Sequence, residues 1–274
     1  MQQQSARSRL IFVLIDGLRD DVAKSRLGFV EGLVDEGIAW RSQVQSVLPS
    51  LSRPCYASIF TGMTPMKHGI TTNDNTQRLT HDNVFDLVAE SGGTSAVAGY
   101  HWMSELFSRG PFDYLRDREQ ENNASGITYG RFYFEDAYPD SHVFVDAEKL
   151  RQSFDPDLLV IHPMGCDDAG HKNGASSKEY AAGAAKIDYL LSRFLPMWLM
   201  LGYQIVITAD HGMDDFGVHG GTYDEVTKTP LYFVSQRDGM TLPGTIQQTE
   251  IAAWLCRLLG IKPVDSMTFS QNLQ

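Results

Sequence analysis

Three short, almost wholly apolar runs constrain this chain most: Leu10–Asp16 (LIFVLID), Asp157–Pro163 (DLLVIHP) and Tyr203–Asp210 (YQIVITAD). Each is rich in Val, Ile and Leu and bounded by polar residues, the pattern of a strand covered on both faces. Amphipathic stretches with helical spacing, Asp20–Glu36, Asn83–Glu90 and Ser177–Leu201, alternate with them. A further run, TPLYFVS, and a closing helix over Thr249–Leu259 follow. Alternation of this kind predicts an α/β fold with a mainly parallel central sheet and helices on both faces. At 274 residues and 42% hydrophobic the chain can bury a full core. It reads as one catalytic domain over residues 1–274, with the aromatic and charged segment 102–138 as a short insertion over the sheet edge.

Ligands of open α/β sheets sit beyond the carboxyl ends of the strands. The first run ends in Asp16-Gly17, the second is followed by GCDDAGHKNG, and the third ends in Asp210-His211-Gly212. Three strand ends therefore bring carboxylates and imidazoles to one edge. The candidate ligands are Asp16, Asp167, His171, Asp210, His211 and His219. One Asp after a strand is an ordinary turn former or helix cap, and one His in a glycine-rich loop is ordinarily solvent-facing. Their convergence is what points to metal. Carboxylate oxygen with imidazole nitrogen suits zinc, and also manganese or iron, better than calcium, and six ligands suggest two divalent ions.

Ser46–Ile70 (SVLPSLSRPCYASIFTGMTPMKHGI) adds a nucleophile candidate. Ser50 or Ser52 could cap a helix beginning near Pro54, whose N-terminus would aim backbone N–H groups at an anion. A serine hydroxyl is a poor nucleophile at neutral pH, and metal coordination lowers its pKa without a histidine base. Capping and catalysis are compatible at this position.

The pieces LIDGLRDD, LPSLSRPCYASIFTGMTPMKHGI, DDAGH, TADHGM and VHGG, with EIAAWLCRLLGI as a closing helix, resemble the alkaline phosphatase superfamily, and most closely its nucleotide pyrophosphatase/phosphodiesterase branch. The resemblance implies an alkaline phosphatase-like fold and a two-metal hydrolase that cleaves phosphodiesters or nucleotide pyrophosphates through a phosphoserine. It makes Ser52 the nucleophile, puts Asp16, Ser52, Asp210 and His211 on one ion and Asp167, His171 and His219 on the other, and selects Asp167 over Asp168. Many phosphodiesterase relatives carry asparagine one residue after the proline to contact a phosphate oxygen; here that residue is Cys55, a poor donor. Arg53, through its backbone or side chain, Cys55 and Trp102 are the substrate-contact candidates, with Tyr56, Tyr100 and Phe107 as further aromatic surface. Sulfatase maturation requires an arginine where Tyr56 stands, which argues against sulfate esters. Alternatives on the same metal core are a phosphomonoesterase and a carbon–phosphorus hydrolase. From another class comes a non-catalytic metal-binding relative, disfavoured because the nucleophile and every ligand are present.

A net charge of −11, spread along the chain, argues against nucleic-acid duplexes and anionic membranes as partners and leaves a small phosphorylated substrate. The apolar run Leu10–Ile15 is too short to span a bilayer, and Cys55, Cys166 and Cys256 are odd in number with no metal-type spacing. The plain expectation is a cytoplasmic, reduced protein.

Overall fold

The computed structural model describes residues 8–122, 126–236 and 244–268. Its strands are β1 (Arg9–Ile15), β2 (Ala39–Gln45), β3 (Ser95–Tyr100), β4 (Glu119–Gln120), β5 (Tyr129–Tyr133), β6 (Leu158–Ile161), β7 (Tyr203–Ala209), β8 (Lys228–Val234) and β9 (Thr245–Gln247). They form one sheet in the order β4-β5-β3-β6-β1-β7-β8-β2-β9. β1 lies parallel between β6 and β7, and β3 lies parallel between β5 and β6. β8 runs antiparallel to both β7 and β2, and β4 runs antiparallel to β5, so the sheet is mixed but mostly parallel. The three apolar runs are thus its centre.

Alternation along β1 divides the core. Leu10, Phe12 and Leu14 pack on one face with the helices Ser52–Thr61, Val84–Glu90 and Ile251–Leu259. Ile11, Val13 and Ile15 pack on the other with Asp140–Phe154 and Lys178–Met200. Each such side chain, fully buried, contributes about 1.5–3 kcal/mol relative to exposure. Asn83 and Ser177 cap their helices through side-chain oxygens, which is why those boundaries follow the sequence closely.

Two expectations shift. The helix read over Asp20–Glu36 is two helices, Asp20–Arg26 and Gly28–Asp35, because Leu27 leaves helical geometry at ψ 60°. Residues 102–138 supply β4 and β5, which carry the sheet beyond β3. Among the described residues no helix is long and apolar enough to cross a membrane.

Candidate active site

β1, β6 and β7 end side by side, and their ends set the site. Asp16 follows β1, while Asp210 and His211 follow β7; all three are fully buried. Gly17 turns the chain at φ +68°, and a β-carbon there would come within 2.9 Å of Asp167, so a larger residue would push the two carboxylates apart. The Gly17 N–H donates to Asp210 Oδ1 at 3.0 Å and fixes that carboxylate. Past β6, the helix Gly165–Asn173 carries Asp167 and His171 on one face, four residues apart. His219 comes from the loop after β7. It is held by Ser50, whose carbonyl accepts from His219 Nδ1 at 3.0 Å and whose Oγ accepts from the Gly220 N–H at 3.2 Å.

These residues fall into two groups, Asp16 with Asp210 and His211, and Asp167 with His171 and His219, the ligand atoms of each lying within 4.8 Å of one another. Ser52 lies at the start of the helix Ser52–Thr61, and its Oγ donates to His211 Nε2 at 3.1 Å. The rings of His211 and His219 stack at 3.7 Å between centroids and join the groups. Asp168 points elsewhere and pairs with Lys172 at 2.7 Å.

The donor chemistry fits cations. His171, His211 and His219 each place Nδ1 against a backbone carbonyl, of Gly217 at 2.8 Å, Gly212 at 2.9 Å and Ser50 at 3.0 Å. A carbonyl only accepts, so the proton sits on Nδ1 and each Nε2 presents its lone pair to the centre. His171 Nε2 and His219 Nε2 then face each other at 3.2 Å, and His211 Nε2 lies 3.2 Å from Asp210 Oδ2 and 3.5 Å from Asp16 Oδ1. Asp16 Oδ1, Asp167 Oδ1 and Asp210 Oδ2 are buried with no hydrogen-bond partner. Lone pairs crowded this way repel unless a cation lies among them.

Titration follows the same logic. Burial, reinforced by the neighbouring Asp16, pushes Asp210 far above the usual carboxylate range and raises Asp167. Burial acts on Asp16 as well, but hydrogen bonding from His162 and the nearby His211 outweigh it and hold Asp16 at about 2. In the absence of a cation a proton takes its place on His171 Nε2, where the hydrogen bond to Asp167 raises His171 to about 9, whereas burial lowers His219 to about 4.

Sequence reasoning missed His162 and the task of Tyr56. His162 Nδ1 accepts the Tyr100 N–H at 3.3 Å, so Nε2 carries the proton and donates to Asp16 Oδ2 at 3.2 Å. The Tyr56 hydroxyl donates to the same oxygen. The only signal was a polar residue closing an otherwise apolar run. Tyr56 and Phe107 are fully buried and Tyr100 nearly so, which makes them core.

The substrate-contact candidates change most. Cys55 has no exposed surface. The Arg53 N–H donates to Asn73 Oδ1 at 3.0 Å, and its guanidinium, 2% exposed as a residue, pairs with Glu105, donates to the Asn75 carbonyl and lies 4.5 Å over the Trp102 ring. Neither the backbone nor the side chain of Arg53 is free for a phosphate, and Trp102 is engaged by Arg53.

Comparison with known proteins agrees with this architecture. The type I phosphodiesterase / nucleotide pyrophosphatase family model matches residues 10–228. The catalytic subunit of GPI ethanolamine phosphate transferase 2 from Homo sapiens is 27% identical over 278 residues; the match takes in 95% of this chain and 27% of that relative, which is far longer. Murine ectonucleotide pyrophosphatase / phosphodiesterase 5 superposes with a TM-score of 0.72 over 94% of this chain and 96% of its own, at 13% identity. Phosphonoacetate hydrolase from Sinorhizobium meliloti 1021 gives 0.57 over 75% of this chain and 56% of its own, at 23% identity. The structural likeness is one of fold. One expectation is overturned. Relatives from Homo sapiens and Saccharomyces cerevisiae are named GPI ethanolamine phosphate transferase 2, and the cytoplasmic reading, which rested on composition, is withdrawn.

Proposed function

The chain belongs to the type I phosphodiesterase / nucleotide pyrophosphatase family, and we propose that it breaks a phosphodiester bond in a small phosphorylated substrate, with Ser52 as nucleophile beside two divalent cations. Zinc suits the donors best. The observation that carries this reading is the convergence of three imidazole lone pairs and three partnerless carboxylate oxygens beside Ser52 Oγ. Asp16, Asp210, His211 and Ser52 would hold one cation, and Asp167, His171 and His219 the other. When bound, the ions supply Lewis-acid chemistry that lowers a hydroxyl pKa and offsets phosphate charge.

Ser52 Oγ gives up its proton and attacks phosphorus, the bond to the leaving oxygen breaks, and the leaving group departs with a proton from solvent. Ser52 then carries the phosphorus with its remaining ester arm. An acceptor hydroxyl attacks the same phosphorus, the Ser52 Oγ–phosphorus bond breaks, and the acceptor's proton restores the serine. His162 and Tyr56 hold Asp16 in place throughout. The acceptor is water in a hydrolase and an alcohol in a transferase; relatives named ethanolamine phosphate transferases support the second as a parallel outcome of one intermediate.

A diester is favoured over a monoester because the guanidinium next to Ser52 in sequence is neutralised by Glu105 and offers no charge to a dianion. The test is hydrolysis of bis-p-nitrophenyl phosphate beside p-nitrophenyl phosphate, on zinc-loaded and chelated protein. Metal-dependent turnover faster on the diester is expected. A monoester preference would move the protein to the phosphatase side, and no turnover of either would leave a carbon–phosphorus hydrolase or a non-catalytic metal protein.

A further inference from the structure

The Gly17 N–H fixes the Asp210 carboxylate, but the Asp210 backbone is held from a distant part of the chain. Pairing of β7 with β8 stops at Thr208–Leu231, and the next residue of β8, Pro230, has no N–H to give. Asp210, fully buried just past that point, turns its carbonyl to two side chains instead: Ser46 Oγ donates to it at 2.7 Å and Gln248 Nε2 at 2.6 Å. Both lone pairs of that oxygen are thus used. Neither donor is free to turn away. The Ser46 N–H donates to the Thr227 carbonyl at 2.8 Å. Gln248 has no exposed surface, and its Oε1 accepts the Val47 N–H at 3.0 Å, which leaves Nε2 for Asp210. Strand register explains the meeting: β9 runs parallel to β2 with Gln247 opposite Gln45, so Gln248 and Ser46 follow side by side. Gln248 also hydrogen-bonds the Cys55 thiol, on the helix that Ser52 begins. One carboxamide therefore touches the nucleophile's helix and the peptide joining Asp210 to His211. Gln248 lies beyond residues 10–228, the span that the family model matches.

We propose that Gln248 and Ser46 are positioning residues of the Asp16–Asp210–His211 group, fixing the peptide between two of its ligands so that the group is set for a cation before one binds. This rests on the two-cation reading and deepens it. Asp210 and His211 leave the two ends of one peptide plane, so rotation of that plane would carry both ligand atoms off together. Two donors on one carbonyl oppose that rotation. Outer partners of metal ligands typically carry about 10–100-fold in metal affinity.

Gln248→Met keeps the length of the side chain and removes its donor. Zinc titration of chelated protein, in competition with a chromophoric chelator, should show one of the two zinc-binding events of the wild type weakened about 10–100-fold and the other unchanged. The weakened event should be the one that His171→Ala spares. Ser46→Ala removes one donor and leaves the other, so it should weaken the same event by a smaller factor; it carries the test if Gln248→Met does not fold. A lowered thermal midpoint with both zinc affinities unchanged would make these contacts purely structural and overturn the proposal. Equal weakening of both events, or weakening only of the event that His171→Ala removes, would overturn it as well. No zinc uptake by the wild type would instead remove the two-cation reading, and the role of Gln248 and Ser46 with it.

Discussion

The two ligand groups are built differently. Asp16, Asp210 and His211 have no exposed surface and follow directly from adjacent parallel strands. In the second group, Asp167 and His171 ride on a helix, His219 sits on a loop, and the His171 side chain is 47% exposed. The first is therefore set by the sheet, where no ligand can move without moving the core. The second opens to solvent at His171. Ser52 belongs with the rigid group, through its contact to His211 at 3.1 Å.

The largest expected effect breaks the first group's task. Ser52→Ala should lower kcat by about 10⁴-fold or more while the Asp167–His171–His219 group still takes up zinc, as read by metal analysis after gel filtration. Activity near wild type would end the Ser52 assignment and leave the buried group without a catalytic role.

A middle-sized effect sharpens the contrast. Without metal, Asp210 is pushed toward its protonated form by burial and by Asp16, so Asp210→Asn should leave the thermal midpoint of chelated protein unchanged or raised. It should also abolish most of the midpoint gain that zinc gives the wild type. His171→Ala, at an exposed position, should keep a larger part of that gain. Equal losses in the two variants would mean that the groups do not differ in rigidity as described.

The smallest effect is pH-dependent and belongs to the open group in chelated protein. His171, raised to about 9 by its hydrogen bond to Asp167, binds a proton in the folded state that the unfolded chain has already released. Its contribution to stability is complete below its ordinary value of 6.5 and is lost as pH rises through about 9. Thermal midpoints of chelated protein between those limits should fall with a slope that His171→Ala removes.

The legibility of this molecule in its sequence follows the same division. The central strands announce themselves because burial on both faces leaves continuous apolar runs, and the ligands are conspicuous because they end those runs. The outer strands are quieter. β2 (AWRSQVQ) alternates with a half-polar face, and β3 (SAVAGY) uses small residues, its Gly99 lying so near His162 that a β-carbon would come within 2.9 Å of it. The supporting shell was not readable, since each contact joins distant positions. His162 reaches Asp16 across 146 residues, and Arg53 meets Glu105 across 52. A local reading leaves Arg53 near the phosphate, whereas its partners bury it.

The most direct test of the account is rapid-quench mass spectrometry of zinc-loaded protein turning over bis-p-nitrophenyl phosphate. A p-nitrophenyl phosphoryl group is expected on the peptide that contains Ser52, rising and decaying with turnover and absent from Ser52→Ala. Turnover with no adduct at Ser52, or with an adduct on another residue, would contradict it.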